Sequence, residues 1–232
     1  SYNDTGYAVN YIPVQSGVQY YIACDAVIDG SFYANNEVSD IIITGYGIIT
    51  GQNKLHPGDD RAVTGINNVG SECWNTDDDP DGFERCGQYS AISIRSGTNL
   101  TVIGPTVIDA AYHTFRLGDE TFSSTRFSTL AHVKTITWRK NGDGIITSPN
   151  VRVQNVFFRC QDDSYYVNGH GMSDAVIWND YNGASILFSK IGDMTGSNRA
   201  DIILVENIYV LYSRAKSNHW PNGGVLAMRG QG

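Results

Sequence analysis

The stretch Asn141–His170, NGDGIITSPNVRVQNVFFRCQDDSYYVNGH, decides how the rest of the chain is read. A glycine turn holding a lone acid (Asn141-Gly142-Asp143-Gly144) opens it, an extended segment Val151–Asn155 follows, and two adjacent acids, Asp162 and Asp163, come next. Nineteen residues separate Asp143 from Asp162, and the span between them reads strand, turn, strand. That is about what one coil of a parallel β-helix needs. Neighbouring coils stand about 4.8 Å apart, so acids at equivalent places of successive coils share one wall. Neighbouring residues of a regular strand face opposite sides, so Asp162 and Asp163 reach the same cleft only where the chain bends or bulges.

Outward from this stretch the same grammar returns. Strand-like runs begin at Asp40, Asn99, Val133, Asn150, Asp174 and Asp201, each flanked by Gly, Asn, Asp or Ser. The markers Val151, Ala175 and Ile202 are 24 and 27 residues apart, a loose period. No segment shows sustained 3.6-residue apolar periodicity, so helix is expected to be scarce. A β-sandwich would want tight hairpins every 8 to 12 residues or so. The Asn-Gly pairs at Asn182-Gly183 and Asn222-Gly223 do not separate the two folds, because β-helix corners need the same left-handed backbone. The expectation is an all-β, right-handed, single-stranded parallel β-helix occupying residues 1–232 as one domain. The polar segment 54–87 breaks the rhythm and reads as an inserted surface loop. Within it Asp77, Asp79, Asp81 and Gly82 brush against a calcium-loop pattern, but Gln88 stands where the closing carboxylate would be. Exposed strand edges at both ends suggest a piece of a longer protein.

With 16 Lys and Arg against 24 Asp and Glu, the net charge of −8 opposes phosphate-backbone binding, and nucleic acid is not expected as a partner. Apolar runs are strand-sized, so no membrane-spanning helix is expected either. Four cysteines (Cys24, Cys73, Cys86, Cys160) lack the paired spacing of a zinc site. Disulfides suit them better, with Cys73 and Cys86 bracketing the polar loop as the best pair. Asn3-Asp4-Thr5 and Asn99-Leu100-Thr101 fit the N-glycosylation sequon. These features lead to the expectation of a secreted, extracellular monomer, although no leader of charged and apolar regions opens the sequence.

Crowded carboxylates cannot all ionise easily, so a wall of three acids divides into one acid and one or two bases. This suits glycoside hydrolysis by inversion, with the two roles lying roughly 6.5 to 9.5 Å apart. The plainer alternative is an ordinary Asn-Gly-Asp-Gly turn and a harmless surface Asp pair. Trp138, Trp178, Tyr165, Tyr166 and Trp220 are candidates for stacking on sugar rings, against the ordinary role of aromatics inside or covering a sheet, and Tyr165 and Tyr166 are preferred because they follow the pair directly. His113, thirty residues before Asp143, would sit a coil or more up and line the same cleft. His170, between two glycines, is a further candidate contact, against a purely structural turn role.

The pattern Asn141-Gly142-Asp143-Gly144-Ile145 followed by Gln161-Asp162-Asp163, set among N-V-x-V-x-N coils, resembles the pectinase-like β-helix hydrolases. Two branches are similar: the polygalacturonases of glycoside hydrolase family 28, and the dextranases and isopullulanases of family 49. The resemblance implies inverting hydrolysis of a polysaccharide without metal or cofactor, Asp162 acting as general acid and Asp143 and Asp163 as bases. Where polygalacturonases carry a Gly-His-Gly, this chain has Asn182-Gly183-Ala184, with Ala184 in the histidine's place. Asn182, in this turn, is counted among the expected substrate contacts. Val176–Asp180, Ile208–Arg214 and Ala111–Phe115 look more like family 49. Arg214 and Lys216 match an R-x-K element that binds the substrate carboxylate in polygalacturonases, and they could equally bond the hydroxyls of a neutral sugar. The preferred substrate is an α-glucan of dextran or pullulan type. The alternatives are a pectin hydrolase and a noncatalytic carbohydrate-binding β-helix.

Overall fold

A computed structural model describes residues 11–34, 36–53, 90–94, 96–118, 127–139, 142–147, 150–167, 171–180, 183–188, 204–213 and 224–228. All regular elements among them are strands, and every strand pairing is parallel. The chain winds as a right-handed parallel β-helix with three faces.

The first face is a sheet of eight short strands: β1 (Tyr11–Pro13), β4 (Ser31–Ala34), β7 (Ile92–Ile94), β10 (Phe115–Leu117), β13 (Ile145–Thr147), β15 (Tyr165–Tyr166), β17 (Ala184–Phe188) and β19 (Gly224–Met228). The second and third faces run on into each other. In the early coils they are separate strands: β2 (Gln19–Tyr21) and β3 (Val27–Asp29), β5 (Val38–Thr44) and β6 (Ile48–Thr50), β8 (Gly97–Ile103) and β9 (Thr106–Ile108), β11 (Ser128–Ala131) and β12 (Lys134–Ile136). In the later coils one long strand serves both faces: β14 (Val151–Cys160), β16 (Gly171–Asn179) and β18 (Leu204–Ser213).

The corner between these two faces is a column of left-handed residues. Gly45, Gly104, His132, Asn155, Asp174 and Asn207 occupy it on successive coils, all with positive φ. Asn and Asp tolerate this conformation because their short polar groups bond locally. Here they also bond to one another, as when the Asn207 amide donates to the Asp174 carboxylate at 3.0 Å. A second column, Gly17, Asp40 and Asn99, lies near the start of the second face, and the Asn99 amide donates to Asp40 at 2.6 Å. This carboxamide is the sequon nitrogen singled out from the sequence.

Inside, side chains stack coil on coil. Phe32, Ile92, Phe115, Ile145 and Tyr165 form the column under the first face. Ile43, Val102, Leu130, Val153 and Met172 form the second, and Ile49, Val107, Thr135, Phe158 and Ile177 the third. Burying each large apolar member contributes about 1.5–3 kcal/mol. Tyr165 belongs to this core and is fully buried, which corrects its expected role as a sugar-stacking face. The inserted loop 54–87 lies outside the described residues, as do Cys73, Cys86 and Asn3. Cys24 and Cys160 are free thiols.

Candidate active site

All three acids lie at the entry to the first face. Ile145 pairs with Tyr165, so Asp143 and Asp163, two residues ahead of each, are equivalent positions of adjacent coils. Backbone bonds lock the stack: the Thr114 N–H donates to Asp143 O (2.8 Å), and the Gly144 N–H to Asp163 O (2.9 Å). The bend required for the pair is present, because the chain leaves β14 at Cys160 and turns through Gln161 and Asp162 before β15. Asp163 donates its N–H to Asp162 Oδ1 at 2.9 Å, and its own Oδ1 accepts the Ala184 N–H at 2.6 Å. Asp143, Asp162 and Asp163 are all buried, and an oxygen from each lies within 4.8 Å of the other two. These nearest oxygens are closer than the roughly 6.5 Å minimum typical of an acid and base flanking a water. The physical reason is that the frame spaces equivalent residues by a single strand separation.

His113 is the residue one coil before Asp143 in the same column, with Nε2 3.7 Å from Asp143 Oδ1. Its ring stacks on Tyr112 at 3.8 Å between centroids. Burial, with the charges of Asp143 and Asp162 adding to it, pushes the Tyr112 phenol up, while Arg116 opposes the shift. Tyr112 therefore stays a neutral hydroxyl beside the acids. Below them, burial followed by the Asp143 charge pushes the Cys160 thiol up, against bonds from Ser164 and Thr137. Tyr166 is half-buried and packs against the small cluster of Ala184, Leu187 and Ala227. His170, Asn182, Arg214, Lys216 and Trp220 lie outside the described residues.

Three supporting groups were not singled out from the sequence. Gly183 faces the Asp pair so closely that an added Cβ would run into the nitrogen and Oδ1 of Asp163. Its only sequence signal is the Asn-Gly turn. The other two are Asp109 and Arg139, joined at 3.0 Å. Arg139 also donates to Gly51 O (3.3 Å) and Gln52 O (2.6 Å), and its carbonyl accepts the Gly142 N–H at 3.0 Å. The turn presenting Asp143 is thus moored to three coils. Nothing local in the sequence pairs an Asp and an Arg thirty residues apart.

A parallel β-helix with three carboxylates converging from adjacent coils defines a class of fold and site. By sequence, no protein-family model and no curated protein matches the chain. Among solved structures it is similar to Dex49A from Penicillium minioluteum, with a TM-score of 0.52 at 17% identity. The match covers 90% of this chain and 33% of that one, so this chain spans about a third of the length of its structural neighbour.

Proposed function

We propose that the chain carries the centre of a glycoside hydrolase acting on a polysaccharide, with Asp162 as general acid and Asp143 and Asp163 together as base. The observation that carries this is the convergence of three buried carboxylates with oxygens within 4.8 Å. Asp162, whose Oδ1 accepts the Asp163 N–H, delivers a proton to the leaving oxygen. Asp143 and Asp163, one coil apart, act as a single base holding the water. This reading takes the hydrolysis to be inverting, with the acid and the base working on opposite sides of the anomeric carbon. His113 orients Asp143, and the buried Tyr112 ring stacked on it holds the imidazole in place. A neutral α-glucan is the substrate this reading favours. The name of Dex49A points to a dextranase, the chain carries a net charge of −8, and Ala184 offers no imidazole to a uronate. The extracellular setting follows from a polymeric substrate.

Asp162→Asn should lower reducing-sugar release from dextran or pullulan at least about a hundredfold, the general range for loss of a positioned acid. Its circular dichroism should match that of the unchanged protein. Release from polygalacturonate alone would select a pectin hydrolase, and release from none of the three would end the hydrolase reading. One competing reading rests on the same oxygens, which are close enough together to ligate a hard divalent cation. In that case EDTA would abolish activity and added calcium restore it, whereas acid–base hydrolysis is indifferent to chelation.

A further inference from the structure

The third face carries an outward row distinct from the acids. Register places Arg159 beside Trp178 and Trp178 beside Tyr212 on three successive coils. A bulge opposite Ile177 and Trp178 sets the pairing so that Tyr212, rather than Leu211, lies against the indole. Trp178 and Tyr212 are each 38% exposed, with ring centroids 5.7 Å apart. An exposed indole on a sheet is ordinarily free to turn, but this one is fixed twice. Its Nε1–H donates to Asp180 Oδ1 at 3.2 Å, and the Arg159 guanidinium lies 5.7 Å from its ring centre. Arg159 and Asp180 are themselves paired at 3.2 Å.

We infer that this row is a docking platform for a neutral polysaccharide chain. Three observations identify the occupant. A pre-fixed aromatic face suits the C–H face of a pyranose ring, since little rotamer freedom is lost on stacking. The guanidinium and carboxylate flanking it neutralise each other, so they present donors and acceptors to hydroxyls without net attraction for an anionic chain. The rings follow one another along the helix axis, as successive sugars of an extended polymer do. The row is also continuous with the acids: the Asp180 N–H donates to Cys160 O at 2.8 Å, and Cys160 stands two residues before Asp162. The platform rests on the hydrolase reading for its purpose, holding polymer beside the cleft, yet its binding is separable from turnover.

Native affinity electrophoresis through gels containing high-mass dextran tests it without catalysis. Dextran should retard the unchanged protein and Trp178→Phe alike. Trp178→Ala should bind about five- to tenfold more weakly, the range for losing one stacked ring. The KM for long dextran should rise equally in Trp178→Ala, with kcat and the KM for isomaltotriose unmoved. Equal retardation of the Trp178→Ala variant and the unchanged protein overturns the platform. So does an equal rise in KM for isomaltotriose, which would put Trp178 in the cleft. Retardation by polygalacturonate and not dextran overturns the neutral occupant. Conversion of a dimer to a monomer in sedimentation, with dextran binding intact, overturns it in favour of contact between copies. Retardation that depends on Trp178 in a protein without hydrolytic activity upholds the platform and rejects the hydrolase reading alone.

Discussion

Gly183 tests the site most sharply at the scale of one residue, because it touches no substrate in the proposed mechanism. A methyl group there meets Asp163 itself, so Gly183→Ala must move either the Asp pair or the strand that follows. Overpacking of this kind costs about 1–3 kcal/mol. We expect kcat on dextran to fall at least tenfold while the melting temperature drops by only a few degrees, measured by initial rates and thermal circular dichroism. The acids themselves were legible in the sequence because nineteen residues is a coil's length, and the bend at the pair follows from strand alternation. His113, thirty residues before Asp143, lies one coil up because the connection between β10 and β11 lengthens that coil. Tyr165 was misjudged because an Asp-Asp-Ser-Tyr-Tyr run does not reveal which of two adjacent tyrosines turns inward. The alternation resumes after the bend and sends the first into the core. Gly183 was hidden because its role is a contact with the coil before it.

Single elements were legible in proportion to their length. The long runs of the second and third faces showed their apolar alternation plainly, and β5, β8, β14 and β16 fall where the sequence places them. The first face went unread, because strands such as β10, β13 and β15 offer two or three residues and no period can be seen in so few. Their order comes only from stacking on neighbours. The left-handed corner makes a prediction at this scale. Asn155 is exposed and turns β14 from one face to the next with φ 52°. Asn155→Val should cost about 1–2 kcal/mol, since a β-branched side chain is poorly tolerated there. Asn155→Gly should stay within about half a kcal/mol by urea denaturation, the flexibility of Gly offsetting its ease in this conformation.

Across the whole molecule, the link of Asp109 and Arg139 with Gly51 and Gln52 joins coils that are far apart in sequence, and it gives stability a dependence on pH. Burial pushes the Asp109 carboxyl above its ordinary value, and the Arg139 charge and hydrogen bonds only partly offset this. One of its oxygens, Oδ1, has no hydrogen-bond partner, which is why burial prevails despite the 3.0 Å ion pair. A raised folded pKa means that the native state holds the proton more tightly than the unfolded chain. The favourable contribution is therefore complete below the unfolded value and is lost as pH rises through the folded one. The stability of the unchanged protein minus that of Asp109→Asn should accordingly fall, by urea denaturation, as pH rises above the ordinary carboxyl value of about 4. A difference that rises with pH would reverse the assignment. The column of left-handed corners has a different kind of consequence. From Gly104 to Asn207 each turn between the second and third faces has one length around a single left-handed residue, and a change of length there disturbs the register of five coils. Insertions and deletions are steered to the two corners that flank the first face, where the acids lie. A lineage built on this frame can exchange the surroundings of its carboxylates by loop replacement and keep the carboxylates themselves in place.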